Sequence, residues 1–295
     1  MISIVITAFK EPETIGKAIE SITTQKITEN YELIVTAPDN ETLLEAKKHA
    51  DKNHNIKLYK DPGKGKTYAL NLLLKKIKGD IIILTDGDVY VSGNSINQII
   101  NSFKDTDVGC VTGRPVPLED KSTKYGYWAN FLFDSAHKLR NKLKQKNKFL
   151  ECSGYLWAFR NNVIIHIPPD VAEDTVVPFI FYEKGFDIDY IDAAEVYVKN
   201  TSNWDEWISQ KIRTSRAHET LNKYVDTNSI PRTKTFFNEA KGLISLFIYP
   251  RSLQQLSWSF QLLFARLYMW YKTFNDVYIK KKYHQDNWER VESTK

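Results

Sequence analysis

Over its first 110 residues the chain alternates short β-branched runs with segments of helical spacing, the order expected of a parallel sheet joined by crossover helices. Ile2 to Thr7 reads as the first strand, and Leu33 to Val35, Ile56 to Tyr59 and Ile81 to Leu84 as the next three. Pro12 suits a first helical turn, and Ile15, Ile19 and Ile22 set an apolar stripe on the helix that follows. Further helices are expected near Glu41 to Asp51 and Thr67 to Ile77. The pattern is that of a doubly wound α/β domain, in which ligands bind beyond the carboxyl ends of the strands. The residues at those ends are polar: Thr7-Ala8-Phe9-Lys10-Glu11, Ala37-Pro38-Asp39, Asp61 to Lys66, and Asp86-Gly87-Asp88.

From about residue 111 the alternation weakens, and Gly113-Arg114-Pro115-Val116-Pro117 opens a longer mixed segment. Residues 122–148 look helical, 155–160 extended, 174–184 helical, 188–198 one or two strands, and 203–222 helical. Asp226 to Thr235 is polar and reads as a mobile loop, and the remainder reads as amphipathic helices. The expected organisation is a nucleotide-binding part over 1–110, an acceptor and catalytic part of the same domain over 111–222, and a loop with C-terminal helices over 223–295.

A hydrophobic content of 42% suffices for a large core without covalent staples, and the only cysteines are Cys110 and Cys152. A cytoplasmic protein is expected, since the N-terminus reads as a strand and lacks the marks of a signal peptide. The best apolar run, Trp258 to Tyr271, is short and interrupted by Gln261 and Arg266, so no membrane-spanning helix is expected. A net charge of +5, with acids and bases intermixed, gives nucleic-acid binding little support.

Asp86-Gly87-Asp88 places two carboxylates on the turn ending a buried strand, where they can share a hard divalent cation and a ribose hydroxyl. The same spacing recurs at Asp105 and Asp107 and at Asp187 and Asp189, so context rather than spacing singles out the first pair. Gly63-Lys64-Gly65-Lys66-Thr67 is not a Walker A loop, because Lys60 stands where that motif needs glycine. A glycine-lysine turn opening a helix can still meet a diphosphate, or be a solvated helix start. Glu173-Asp174 precedes an apolar run, which suits either a helix N-terminus or a general base. Gln210, Arg213 and Arg216 share a helix face, either solvated or clamping phosphates. The six histidines show no metal-ligand spacing.

In this order the motifs resemble glycosyltransferase family 2, whose nucleotide-binding fold is called GT-A. Ile4 to Glu11 is similar to the family's opening strand and donor-binding turn, with Thr7, Ala8, Phe9 and Glu11 at the donor. Asp39 resembles the acidic residue that contacts the nucleobase, with Ala-Pro-Asp-Asn in place of Asp-Asp-Gly-Ser. Gly63-Lys64-Gly65 with Ala69-Leu70-Asn71 matches the glycine-lysine turn and helix, and Asp86-Gly87-Asp88 the D-x-D motif. Ser153-Gly154 and Ala158-Phe159-Arg160 resemble the acceptor-side segment, Glu173-Asp174 the base motif, and Gln210-x-x-Arg213 the start of Q-x-x-R-W. Thr214 stands where processive synthases carry tryptophan, which points to addition of one or a few sugars.

The resemblance implies a mostly parallel twisted sheet flanked by helices, with a C-terminal helical extension. It implies transfer with inversion from a nucleotide-diphosphate sugar (UDP- or GDP-linked) to a hydroxyl of a glycan or lipid-linked acceptor. Asp174 would be the base, Asp88 the ligand of Mg²⁺ or Mn²⁺, and Asp86 and Gly87 would hold the donor. Lys64 and Arg213 would face the diphosphate, and Gly154, Glu173, Gln210 and Arg216 the acceptor side. Competing readings are a silent sugar-nucleotide-binding scaffold and a sugar-1-phosphate nucleotidyltransferase, although the latter expects a glycine-rich loop that Thr7 to Glu11 lacks. Between Lys138 and Lys148 every second residue is basic. With the aromatic segments Tyr125 to Phe133 and Trp258 to Tyr271, that run allows either a solvated helix or peripheral contact with anionic lipid on the cytoplasmic face of a membrane.

Overall fold

The computed structural model describes residues 1–230, 232, 233, 235, 236, 238, 242–286, 288 and 292–294. Of the polar stretch expected to be a loop, residues 231 and 234 lie outside the described residues. Eight strands form one sheet: β1 (Ile2–Thr7), β2 (Tyr31–Ala37), β3 (Ile56–Lys60), β4 (Ile81–Asp86), β5 (Val89–Val91), β6 (Val108–Pro117), β7 (Leu156–Arg160) and β8 (Asp187–Val198). Their order across it is β3-β2-β1-β4-β7-β6-β8-β5. The first four strands are mutually parallel, as expected of runs as apolar as these. β7 is then antiparallel to both β4 and β6, and β5 to β8.

Register positions the functional rim. Thr7 pairs with Thr36 on one side and Asp86 on the other, so the segments that follow β1, β2 and β4 leave the sheet side by side. Because β7 runs the other way, Thr85 faces Leu156, and the turn entering β7, Gly154-Tyr155, joins the same rim. The start of the mixed segment expected after residue 111 is strand, with residues 111–117 belonging to β6. β6 tolerates Pro115 and Pro117 because its pairing with β7 ends at Thr112, leaving that side without a ladder beyond it.

Among the described residues the α-helices are α1 (Ile15–Thr23), α2 (Asn40–Ala50), α3 (Lys66–Leu74), α4 (Ser95–Ser102), α5 (Lys124–Lys144), α6 (Glu173–Glu183), α7 (Trp204–Arg216), α8 (Leu243–Ile248) and α9 (Leu253–Phe274). Period-two alternation sends Ile4, Ile6 and Ile83 to one face of the sheet, where Ile15, Ile19 and Ile22 of α1 cover them. Val5, Ile82 and Leu84 go to the other, under Leu70, Leu73, Phe179 and Phe181 of α3 and α6. Each such side chain, buried fully, contributes about 1.5–3 kcal/mol. Cys110 and Cys152 are both buried in this second core.

A third cluster joins α5, α7 and α9 through Tyr127, Trp128, Trp207, Leu262 and Met269. Much of the aromatic segment of α5 therefore faces protein, and the Trp128 indole donates to Trp258 O at 2.8 Å. Among the described residues no helix is long and apolar enough to cross a membrane.

Candidate active site

The turn after β1 is built around Asp39. Its Oδ1 accepts from Thr42 N at 2.9 Å, capping α2, and its Oδ2 accepts from Lys10 N at 2.8 Å. Lys10 sits at φ 56°, a conformation that this bond helps to hold. Burial acts to raise the Asp39 pKa, but the bonds from Thr42 and Lys10 keep it below the usual carboxylate range.

At the end of β4 the backbone crosses close over β1, and Gly87 N donates to Thr7 O at 2.9 Å. A Cβ at Gly87 would overlap Glu11 Oε2 and lie 2.7 Å from the Ala8 methyl, which accounts for glycine between the two aspartates. Thr7 Oγ1 donates to Asp86 Oδ1 at 2.9 Å. Three acids thus converge: Asp86, Asp88 and Glu11. Burial first, and then the Asp86 charge, push Asp88 up to about 7. Burial, with Asp88 and Asp86 beside it, raises Glu11 well above its usual range, and Glu11 Oε2 is buried with no hydrogen-bond partner among the described residues. Burial and the same acids also raise the Tyr155 phenol.

Lys66 answers this charge. Its Nζ lies 2.8 Å from Asp86 Oδ1 and 2.9 Å from Glu173 Oε1. Burial acts to lower the Lys66 pKa, yet the two carboxylates hold the ammonium above its ordinary range. For Glu173, burial acts upward, and the charge and hydrogen bond of Lys66, its own backbone amide and His284 together bring it below the usual range. Lys64 lies outside this arrangement, exposed, with Nζ 5.4 Å from the Tyr68 ring centroid. The phase of α3 decides between the two lysines. Gly65, at φ 113°, turns the chain so that Lys66 opens the helix and points inward.

Asp174 follows Glu173 in the first turn of α6, where the helix dipole favours carboxylates. A Cβ on Gly154 would lie 3.2 Å from Asp174 Oδ2, so the glycine leaves open space beside that oxygen. Thr7, Phe9, Glu11, Asp86 and Asp88 line one side of a cleft of about 500 Å³, and Gly154, Tyr155, Glu173 and Asp174 the other. Gln210 and Arg213 of α7 reach the same cleft. Arg216, one turn on, instead meets Asp276 at 3.7 Å.

Two contributors had no signal in the local pattern. Lys66 lies in the glycine-lysine turn, where the resemblance points to Lys64 instead. The C-terminal residues His284, Asp286 and Trp288 also line the cleft, brought there by contacts between residues more than two hundred positions apart.

The chain is 23% identical over 246 residues to poly-beta-1,6-N-acetyl-D-glucosamine synthase of Staphylococcus aureus (strain COL), an alignment covering 80% of this chain and 58% of that protein. It thus spans less than two thirds of the length of the curated relatives it matches. The mannosyltransferase of Pyrobaculum calidifontis, solved with GDP-Man and Mn²⁺, superposes with a TM-score of 0.62 at 14% identity, over 95% of this chain and 86% of that one. Glucosyl-3-phosphoglycerate synthase from Mycobacterium tuberculosis, solved with Mn²⁺, UDP and phosphoglyceric acid, gives 0.53 at 17% identity, over 74% and 76%. The fold is GT-A. The model described as Glycosyl transferase family 2 matches residues 3–167, more than half of the chain, and the protein belongs to that family of glycosyltransferases.

Proposed function

We propose that this glycosyltransferase moves a sugar with inversion from a UDP- or GDP-sugar to an acceptor hydroxyl, with Asp174 as general base. The observation that carries the reading is the convergence of Asp86, Asp88, Lys66, Asp174 and Arg213 on one cleft. Acceptor oxygen attacks the anomeric carbon as Asp174 takes its proton, and the bond to the nucleoside diphosphate breaks on the opposite face. Charge that develops on the leaving diphosphate meets Lys66 and Arg213, fixed donors that need no reorganisation. Asp86, held by Thr7 and Lys66, binds ribose or the donor sugar.

The carboxylates fit a divalent cation. Asp88 and Glu11 are half-buried acids whose pKa values, raised by desolvation and by neighbouring carboxylates, a positive ion would relieve. Among the described residues no three His, Cys, Asp or Glu side chains form a closed cage. Mg²⁺ or Mn²⁺ held by one or two carboxylates, with phosphate and water completing its shell, matches such a partial set. Asp88 would hold it, and the ion would supply Lewis acidity at the diphosphate. The Mn²⁺ in both solved neighbours supports this assignment.

Residues 1–110 would then bind the donor, 111–222 present the acceptor and base, and 223–295 form the helical extension. Thr214, standing where processive synthases carry tryptophan, supports addition of one or a few sugars. Incubation with a panel of sugar nucleotides and Mn²⁺ should release nucleoside diphosphate with at least one of them. Release that persists unchanged in excess chelator contradicts the metal assignment.

The acceptor class is proposed to be a glycan or a lipid-linked glycan, met at a cytoplasmic membrane face. Phe260, Phe264, Leu267, Tyr271 and Phe274 are exposed at alternating spacings of four and three, a continuous apolar stripe on α9. Lys280, Lys281 and Lys282 follow it. An amphipathic helix of this kind suits an anionic lipid surface. Vesicles of phosphatidylglycerol should retain the protein at low salt, and Phe264→Ser with Tyr271→Ser should release it. Absence of wild-type binding contradicts membrane contact.

A further inference from the structure

Beyond α9 the chain turns back across the functional rim. The Asp286 carboxylate sits on the first turn of α3, where Oδ1 accepts from Thr67 N at 3.1 Å and Oδ2 from Tyr68 N at 2.8 Å. That helix has no side-chain cap of its own. The approach is close enough that a Cβ on Gly65 would overlap the Asp286 backbone. Two residues on, the Trp288 indole stacks on Phe9, with ring centroids 5.5 Å apart and planes inclined by 17°. Upstream, His284 faces Glu173 and Arg213. An anionic group on the amides of a helix start and a flat ring on an aromatic side chain are the two features a nucleotide presents. The tail supplies both inside the cleft that also holds Asp86 and Asp88.

We propose that the C-terminal segment carrying Asp286 and Trp288 is an internal competitor of the donor. It occupies the nucleotide half of the cleft and must leave before a nucleoside diphosphate can bind. The inference rests on the donor site proposed above. A competing segment lowers apparent affinity by the fraction of molecules in which the site is open. Its removal therefore tightens binding without adding a contact. Phe9 then stacks on the base in place of Trp288, and the α3 amides are released to the phosphates.

The test is titration calorimetry of UDP and of GDP with Mn²⁺ into the full chain and into Asp286→Ala/Trp288→Ala, with thermal melting to verify folding. The double variant should bind its preferred nucleotide about tenfold more tightly. Equal affinity overturns the proposal, and weaker affinity overturns it by making the tail a wall of the donor pocket. In both cases the donor site itself stands. Binding of neither nucleotide to either protein overturns the donor reading and this one with it. A second readout needs no variant: Lys280 to Lys282 offer trypsin sites at the root of the segment. UDP or GDP with Mn²⁺ should speed cleavage there in the wild-type chain. Slower cleavage means that the tail closes over nucleotide, which contradicts competition.

Discussion

The Lys66 ammonium stands 2.8 Å from Asp86 Oδ1, and through Glu173 it links the end of β4 to the start of α6. It therefore joins Asp86 to the turn that carries Asp174. Removing it leaves two largely buried carboxylates without their counter-ion, a loss worth about 3 kcal/mol. Lys66→Met should lower the melting temperature and reduce transfer about a hundredfold. Lys64→Met should leave transfer within about twofold, as expected of an exposed side chain. Melting curves and steady-state rates for the pair check both.

Gly87 is fixed by the approach of Glu11 and Ala8 rather than by its own backbone angle. Gly87→Ala should cost about 1–3 kcal/mol through overpacking. It should also push Glu11 away from Asp88, so Mn²⁺ affinity falls together with stability. Calorimetry with Mn²⁺ alone separates this from simple unfolding, because the variant that still melts cooperatively should bind the ion more weakly.

The opposite rim of the sheet carries stability rather than chemistry. Glu32 is buried there, accepting from Ser3 Oγ at 2.6 Å, Lys57 Nζ at 2.6 Å and Lys78 N at 3.3 Å. Burial acts to raise its pKa, and these donors together hold it below the ordinary glutamate value. A depressed folded-state pKa means that the unfolded chain binds more protons at moderately acid pH. The stabilisation is therefore present above the unfolded pKa of about 4.3 and is lost as pH falls through the folded value. Glu32→Gln should cost about 1.5–3 kcal/mol at pH 7, with the gap closing below pH about 4. Urea denaturation of both proteins across that range measures it.

Much of this arrangement was legible in the residues because local and global signals agree. Ile15, Ile19 and Ile22 repeat at helical spacing and all three are buried against β1. Ile81 to Leu84 is apolar throughout and becomes a central strand that ends on Asp86. β6 was less legible, since Pro115 and Pro117 read as a break, and only the sheet order shows that no ladder is needed on that side. The choice of Lys66 over Lys64 depends on where α3 begins, an offset that composition does not encode. Placement of Asp286 on Thr67 and Tyr68 links positions 219 and 218 residues apart, a contact with no local pattern behind it.

The proposed mechanism has Asp174 take the acceptor proton while other residues hold the donor, and Asp174→Asn separates the two roles. With the donor found by the nucleotide panel, transfer to acceptor and calorimetric donor affinity are measured on the same preparation. Asp174→Asn should keep donor affinity within about threefold of wild type and slow transfer by about a thousandfold, the scale of lost general-base catalysis. Transfer at the wild-type rate would contradict it.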